Sequence, residues 1–174
     1  GFNSSNLQVL PPDATADTKI ILVSKKETLT QGTSQTVTFI GAGENTPATK
    51  VQNDFVFTGT KDMVSGLSTW DVSSHRYGSV PVPVVPGYIA NVGHAGSLQV
   101  TPEAPNAEEL VTFKPLGKII AVDTDGKEIQ GVPTIQYQND PENPTKAGKT
   151  SSPLISGYET DVLNITPSKP EEDT

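Results

Sequence analysis

Apolar and polar residues alternate in short runs along this chain, and no window shows a 3.6-residue apolar period over three turns. The clearest alternation covers residues 36–40, which end at a Gly-Ala-Gly segment, and residues 110–114. Residues 118–122 instead form a nearly continuous apolar run, which is typical of a strand covered on both faces. Further strands are predicted at residues 19–23, 55–58, 67–72, 98–100 and 129–137. The pattern therefore predicts a mainly β chain with little helix.

A single helical turn is predicted in the first half of the chain, at residues 47–51. Thr46 is of a type that caps helix N-termini, and Pro47 would occupy the first helical position, where a missing N–H is tolerated. The 15 glycines and 15 prolines of the chain are scattered through the sequence and argue against any longer helix.

One short phrase occurs three times. Leu-Gln-Val-Leu-Pro begins at Leu7, Leu-Gln-Val-Thr-Pro begins at Leu98, and Leu-Asn-Ile-Thr-Pro begins at Leu163. The first two copies are followed, at the same spacing, by an alternating apolar segment, and the third copy stands close to residue 174. We therefore expect this chain to be one period of a tandem array. Such arrays are usually structural or adhesive and seldom contain a single catalytic centre.

A second repeated motif divides the period into two related modules. Residues 85–88 read Val-Pro-Gly-Tyr and residues 155–158 read Ile-Ser-Gly-Tyr, each upstream of a copy of the phrase. Between the modules, Pro115, Leu116 and Gly117 break one predicted strand before the next begins. The predicted organisation is a terminal strand or linker at residues 1–25, a first domain at 26–116 and a second domain at 117–174. So short a joint predicts a stiff, elongated pair.

Composition narrows the classes of function. Hydrophobic residues make up 33% and aromatic residues 6% of the 174 positions, which suits two small cores better than one large core. The net charge of −8 disfavours nucleic acid and anionic membrane surfaces as partners. Because the chain has no cysteine, disulfides and thiolate metal sites are excluded. No apolar stretch approaches the length of a membrane-spanning helix.

The sequence does not predict an enzyme. Ser73, Ser74 and His75 lie near Asp71 and include the residue types of a hydrolase triad, but no Gly-x-Ser-x-Gly elbow is present. His75 and His94 are too far apart in sequence for the close spacing of a zinc pair.

An acidic segment leaves two interpretations open. Asp123, Asp125 and Glu128 surround a glycine, as the carboxylates of a calcium loop do, and Asp140 with Glu142 would add oxygen ligands from a neighbouring loop. The alternative is a β-hairpin, in which Asp-Gly supplies the turn. No other cofactor is predicted, so a structural calcium ion is the one metal hypothesis.

The predicted contact surface consists of Trp70, His75, Arg76, Tyr77 and Tyr88. Aromatic faces stack on sugar C–H groups, and arginine pairs with the carboxylates or sulfates of acidic sugars. Trp70 and Tyr88 have a competing role as core residues of a domain poor in large side chains, whereas Arg76 and Tyr77 are expected to be more available for binding.

Several segments together resemble a known family. The first half of the chain is similar to the first half of a mucus-binding (Mub) repeat, through residues 36–43, 51–59, 77–80 and 85–88. The second half resembles a MucBP-type module, through residues 115–123, 131–133, 140–141 and 144–146. The likeness begins near residue 30 and covers nearly all of the chain beyond it.

This resemblance implies a fold, a location and a ligand. Such repeats come from large, cell-wall-anchored adhesins on the extracellular surface of Gram-positive gut bacteria. The implied fold is two small ubiquitin-like β-grasp domains arranged end to end, and the implied ligands are mucin glycans. Some repeats bind host immunoglobulin, and the β-grasp fold resembles the light-chain-binding domain of protein L. No catalytic residues come with the family.

Three functions follow as alternatives. The first is adhesion to mucin glycoproteins through weak contacts that are multiplied by repetition. The second is binding of immunoglobulin through an open sheet edge, and the third is a passive spacer in a stalk. The predicted strand at residues 19–23 adds a further partner, because each repeat could lend a terminal strand to the adjacent repeat.

Overall fold

A computed structural model of the chain describes residues 2–3, 15–17 and 19–174. Within this part of the chain the regular structure is β, apart from one 3-10 turn at Gly43–Asn45. The first strands in chain order are β1 (Phe2–Asn3), β2 (Val23–Ser24), β3 (Lys26–Gly32), β4 (Ser34–Ile40), β5 (Lys50–Gln52), β6 (Val56–Asp62), β7 (Ser68–Trp70), β8 (His75–Arg76) and β9 (Ser79–Pro81). They are followed by β10 (Tyr88–Ala90), β11 (His94–Gly96), β12 (Gln99–Val100), β13 (Asn106–Pro115), β14 (Lys118–Ile119), β15 (Ile135–Gln136), β16 (Thr150–Ser151) and β17 (Asn164–Ile165).

The predicted fold class, mainly β with little helix, is confirmed. The alternation that predicted β4 is visible in its burial, because Gln35, Val37 and Phe39 are buried while the residues between them are partly exposed. The arrangement as two end-to-end β-grasp domains stays a prediction.

The helical turn predicted at residues 47–51 was wrong. The 3-10 turn lies just before it, and the Thr46 Oγ1 accepts a hydrogen bond from the Ala42 backbone N–H at 3.1 Å. Thr46 itself is extended, with φ −61° and ψ 124°. It therefore closes the preceding turn instead of capping a following helix, and the chain continues into β5.

Two predicted strands are shorter than expected. Residues 118–122 form a strand only over β14, and residues 19–23 only from Val23 onward, as part of β2. Ile20, Ile21 and Leu22 are 61%, 83% and 49% exposed, so this apolar run is not covered. The first copy of the repeated phrase, at residues 7–11, lies outside the described residues.

Contacts group the chain into two units that interleave along the sequence. One unit contains residues 1–34, 53–76 and 99–106, and the other contains residues 35–52, 77–98 and 107–174. The predicted domain ranges 1–25, 26–116 and 117–174 stay a prediction. Below, the two groups are called the first and second unit.

The first unit is built on an antiparallel sheet of order β3-β6-β7, accompanied by the β8–β12 pair. Phe57 and Val100 are completely buried in this unit. Gly59, on β6, lies opposite Trp70, and a side chain there would overlap the Thr69 carbonyl oxygen and the indole ring. The absence of a side chain at position 59 therefore makes room for the tryptophan.

The second unit contains a four-stranded sheet of order β10-β13-β4-β5. Its larger apolar cluster consists of Val37, Phe39, Ala42, Val80, Val82, Val85, Ala90, Ala95, Val111 and Phe113. A smaller cluster consists of Ile89, Leu116, Ile119, Tyr137 and Ala147. The smaller cluster contains residues from both sides of the predicted domain boundary between residues 116 and 117.

Asp62 has the most strongly perturbed carboxyl group among the described residues. Its Oδ2 accepts a hydrogen bond from the Ser24 hydroxyl at 2.6 Å, and its Oδ1 accepts bonds from the backbone N–H groups of Ser65 and Val64 at 3.0 and 2.9 Å. These bonds favour the charged form, so the pKa of Asp62 lies well below its ordinary value of 3.8, with the serine hydroxyl as the largest cause.

A lowered carboxyl pKa stabilises the fold above the unfolded-state pKa, and this stabilisation is lost as the pH falls below about 3.8. We expect Asp62→Asn to lower the melting temperature near neutral pH, and the gap to wild type to narrow as the pH is lowered toward about 2. Thermal melts over this pH range measure the effect. Asp54→Asn, at an exposed position of the same unit, is the control, and a gap for Asp62→Asn that is constant with pH would contradict the assignment.

Candidate functional site

Four aromatic side chains form a row in the first unit: Trp70, Phe57, Phe55 and His75. The Trp70 and Phe57 ring centroids are 6.4 Å apart at an interplanar angle of 66°, and those of Phe57 and Phe55 are 5.0 Å apart at 86°. Phe55 and His75 stack face to face at 3.8 Å and 4°. Phe57 is buried, whereas the other three rings are half-buried. This aromatic row therefore combines a buried anchor with rings that reach solvent.

Local sequence explains how the row forms. Phe55 directly precedes β6 and Phe57 is its second residue, so in extended backbone the two side chains point to the same side. Trp70 reaches the row from the neighbouring strand, over Gly59. His75 lies on β8, directly opposite the fully buried Val100 of β12.

Polar side chains lie next in sequence to members of the row. The Arg76 guanidinium donates to the Gln99 side-chain oxygen at 3.3 Å, and the two residues face each other across the β8–β12 pair on the exposed surface. The Thr58 hydroxyl donates to the Asp71 carboxylate at 2.5 Å, also on the surface. Half-buried rings, a guanidinium, an amide and a carboxylate within one unit are groups of the kind that bind sugars by stacking and hydrogen bonding.

The structure gives the five predicted contact residues different positions. Trp70, His75 and Arg76 lie in the first unit, whereas Tyr77 and Tyr88 lie in the second. Tyr77 is only 4% exposed, so the expectation that its ring is available was wrong. Tyr88 is half-buried against the larger apolar cluster, in line with its alternative role in the core.

Sequence reasoning missed Phe55 and Phe57 as members of the aromatic row and Gln99 as the partner of Arg76. The signal for the two phenylalanines was present, because their two-residue spacing in a strand puts both rings on one face. Gln99 had no such signal. Its place opposite Arg76 depends on the pairing of β8 with β12, two segments that are distant from each other in the sequence.

The acidic segment around Asp123 is a hairpin. Val122 and Glu128 form an antiparallel bridge, and Gly126 has a φ of 78°. The Asp123 carboxylate accepts hydrogen bonds from the backbone N–H groups of Asp125 and Lys127 at 3.0 and 2.9 Å. The turn thus uses this carboxylate to satisfy its own backbone.

Asp140 behaves in the same way. Its carboxylate accepts hydrogen bonds from the backbone N–H groups of Glu142 and Asn143 at 2.9 and 3.1 Å. In the described part of the chain, no three acidic or histidine side chains are grouped as a metal ion requires. Calcium binding by Asp123, Asp125, Glu128, Asp140 and Glu142 stays a prediction without support from this geometry.

Over the residues that the structure describes, no helix has the length and apolar character needed to cross a membrane.

Comparison with known proteins gives one family match. The family described as the Muc B2-like domain matches residues 24–117, which is more than half of the chain and includes the whole aromatic row with Arg76 and Gln99. No curated protein matches the sequence.

Three solved structures resemble parts of this chain. A MucBP domain from Lactobacillus acidophilus is 23% identical, with 53% of this chain and 99% of that domain covered and a TM-score of 0.39. The mucin-binding domain of a Streptococcus pneumoniae protein is 17% identical, with 53% and 98% covered and a TM-score of 0.42. The structure of Mub-RV is 20% identical, with 66% of this chain and 60% of Mub-RV covered and a TM-score of 0.38.

Proposed function

Because the chain belongs to the Muc B2-like domain family, we propose that it is a binding module for mucin glycoproteins on a bacterial cell surface. The observation that carries the proposal is the family match over residues 24–117. It is supported by the position of the aromatic row, which lies entirely within the matched segment. A binding role, and not a catalytic one, suits a surface of stacked rings and hydrogen-bonding side chains.

The chemistry of the row suits acidic glycans. Trp70, Phe55 and His75 offer partly exposed ring faces for sugar C–H groups, and Arg76 offers a fixed positive charge for a sialic carboxylate or a sulfate. The chain as a whole carries a net charge of −8 and repels such glycans at long range. One exposed arginine in the same unit as the rings therefore gives weak, local binding, which repetition along a surface protein would strengthen by about 10² to 10⁴.

We expect Arg76→Gln to reduce binding to immobilised mucin by about tenfold, because a hydrogen-bonded charge pair is replaced by a neutral contact. Surface-plasmon resonance with two linked copies of the chain measures the change. Removal of sialic acid and sulfate from the mucin should lower wild-type binding to the level of the variant.

Lys61→Gln is the matched control, since Lys61 is an exposed cation on β6 of the same unit and its loss changes the net charge equally. Equal losses of mucin binding for Lys61→Gln and Arg76→Gln would show that binding depends on net charge and not on a specific site. Unchanged binding of Arg76→Gln would overturn the glycan site itself.

Immunoglobulin binding is a second candidate, favoured by one observation. Strand β3, seven residues long, lies at the edge of the β3-β6-β7 sheet and is a position where another chain's strand could pair. Binding of polyclonal immunoglobulin, measured before and after enzymatic removal of its glycans, distinguishes protein recognition at the sheet edge from glycan recognition. Binding that survives deglycosylation and the Arg76→Gln change would favour the sheet edge over the aromatic row.

A further inference from the structure

A concave site lies in the second unit, apart from the aromatic row. Its volume is about 290 Å³, close to the lower limit of about 300 Å³ for small-molecule sites, so it has room for a ligand the size of one sugar ring. We call it the β10–β13 pocket. It is lined by residues 89–91, Thr112, Lys114, Thr145 and residues 170–171, all of which belong to the second unit.

The apolar part of the lining is buried. Ile89 and Ala90 are 7% and 5% exposed, and Pro170 is buried as well. Ile89 of β10 pairs with Lys114 of β13, so an apolar and a charged side chain lie on the same face of the four-stranded sheet. The pocket therefore offers an apolar surface for the C–H groups of a ligand, directly beside a cation.

Asn91 supplies hydrogen-bond donors in a fixed orientation. Its backbone N–H donates to the Thr112 carbonyl at 3.0 Å, and its Oδ1 accepts from the Thr112 N–H at 2.9 Å. With Oδ1 engaged, the amide cannot rotate freely, and its Nδ2 group makes no hydrogen bond to another described residue. Two N–H donors of Asn91 are thus available to a ligand.

Thr145 supplies an acceptor. Its hydroxyl donates to the Asn143 side-chain oxygen at 2.7 Å, so the hydroxyl oxygen can only accept from a ligand. The surrounding loop is held by two further bonds. The Asp140 carboxylate accepts from the Asn143 N–H at 3.1 Å, and the Pro144 carbonyl accepts from the Ala90 N–H at 2.8 Å. The acceptor is therefore in place before any ligand binds.

The pocket wall at Pro170 is held by backbone bonds. The Pro170 carbonyl accepts from the Gly117 N–H at 2.8 Å. The Thr174 N–H donates to the Lys118 carbonyl at 2.8 Å, and the Thr174 carbonyl accepts from the Ile120 N–H at 2.7 Å. Two bonds from one residue to partners two apart are the pattern of a parallel pair. This pairing fixes the segment that carries the wall.

One cation and one anion line the pocket without forming an ion pair. Lys114 and Glu171 are both exposed, and no ion pair in the described part of the chain includes either of them. Their charges cancel over the pocket as a whole, so a charged ligand would be attracted by one group and repelled by the other. An uncharged ligand that both donates and accepts can bond to both groups.

These groups match the chemistry of a sugar. Each sugar hydroxyl can donate to a carboxylate and accept from an ammonium or an amide N–H, and the ring also has apolar C–H groups. We propose that the β10–β13 pocket binds one uncharged sugar residue, with Lys114 and Asn91 as donors and Thr145 and Glu171 as acceptors. The choice of a sugar rests on the proposed function, in which glycans are the ligand. Glu171 disfavours the acidic sugars assigned to the aromatic row.

Nuclear magnetic resonance of the nitrogen-15-labelled full chain tests this inference with free ligands. We expect galactose or N-acetylgalactosamine to shift the backbone amide signals of Asn91, Thr112 and Thr145, with saturation at millimolar concentration. N-acetylneuraminic acid should bind at least about tenfold more weakly, and the zwitterion glycine should shift none of these signals. Absence of saturating shifts with both uncharged sugars would overturn the proposal, as would tighter binding of the acidic sugar or of glycine.

Two variants test the roles of the charged groups. Lys114→Met should raise the dissociation constant of the uncharged sugar about tenfold, because a charged donor is lost. Lys149→Met is the matched control, since Lys149 is an exposed lysine of the same unit that does not line the pocket. Equal weakening by the two changes would contradict the site. Glu171→Gln should narrow the preference against N-acetylneuraminic acid, and an unchanged preference would contradict the role of Glu171.

The titration distinguishes this pocket from the proposed function. Free sugars are tested without mucin, and Arg76 does not line the pocket. A failed titration would remove the β10–β13 pocket and leave mucin binding through the aromatic row unaffected. A chain that binds no mucin would in turn leave the titration result valid.

Discussion

Phe57→Ala is expected to lower the free energy of unfolding of the first unit by about 3–5 kcal/mol, the usual cost of removing a buried phenylalanine. The ring is completely buried and contacts Phe55 and Trp70 edge to face. Since Phe57 also holds the exposed rings of the aromatic row in place, mucin binding should fall together with stability. Chemical denaturation followed by the fluorescence of Trp70, the chain's single tryptophan, reports on this unit directly.

Two comparisons make this prediction specific. Phe57→Leu keeps most of the buried volume and should cost less than about 2 kcal/mol. Val56→Ala, at the neighbouring position, should cost less than about 1 kcal/mol, because Val56 is 51% exposed on the opposite face of β6. A larger effect at position 56 than at position 57 would mean that the strand faces the other way.

Gln35→Leu is expected to have the second largest effect, at about 2–3 kcal/mol, because it leaves the part-buried Leu98 N–H without its partner and removes one of the two hydrogen bonds to the Gly78 carbonyl. Gln35 is 1% exposed. Its side-chain amide donates to the Gly78 carbonyl at 3.0 Å and to the Gln52 side-chain oxygen at 2.5 Å, and its own oxygen accepts from the Leu98 N–H at 2.7 Å. The apolar replacement can make none of these bonds, although its size is similar.

Denaturation followed by far-ultraviolet circular dichroism measures the loss. Gln52→Leu is the graded control, since it removes only one of the three bonds and the Gln52 side chain is only half-buried. An equal cost for the two variants would contradict the role of Gln35 as the common partner of Gly78 and Leu98.

Gln35 also shows where sequence reasoning ended. The alternation of residues 36–40 predicted β4 and its inward side correctly, because a two-residue period follows directly from strand geometry. That period also places a glutamine in the interior. Its partners Gly78 and Leu98 lie in distant parts of the sequence, so the local pattern carries no information on how the amide is satisfied.

The candidate site, too, was predicted from the sequence only in part. Trp70, His75 and Arg76 were identified from their residue types, and the structure places them in one unit. Tyr77 follows them directly in sequence but is buried, because strands of two or three residues are too short for a period to show which side faces inward. The stacking of Phe55 on His75 joins two separate segments of the chain and depends on tertiary packing alone.

Residues 19–23 show a different limit. Their apolar pattern is that of a buried strand, yet the run is exposed and only its last residue lies in β2. The pattern reports which segments can form a strand with a covered face. Whether other segments cover that face depends on tertiary structure, which the local pattern does not contain.

The parallel contact of Thr174 has a mechanical consequence. Three hydrogen bonds, from Gly117 to Pro170, from Thr174 to Lys118 and from Ile120 to Thr174, join two segments that run in the same direction. Tension applied to the chain before Gly117 and at Thr174 would slide these segments past each other, so all three bonds would bear the load together. An antiparallel pair pulled from its open end would instead break its bonds one after another. If the chain works as the surface module proposed above, this direction of the strands favours resistance to pulling.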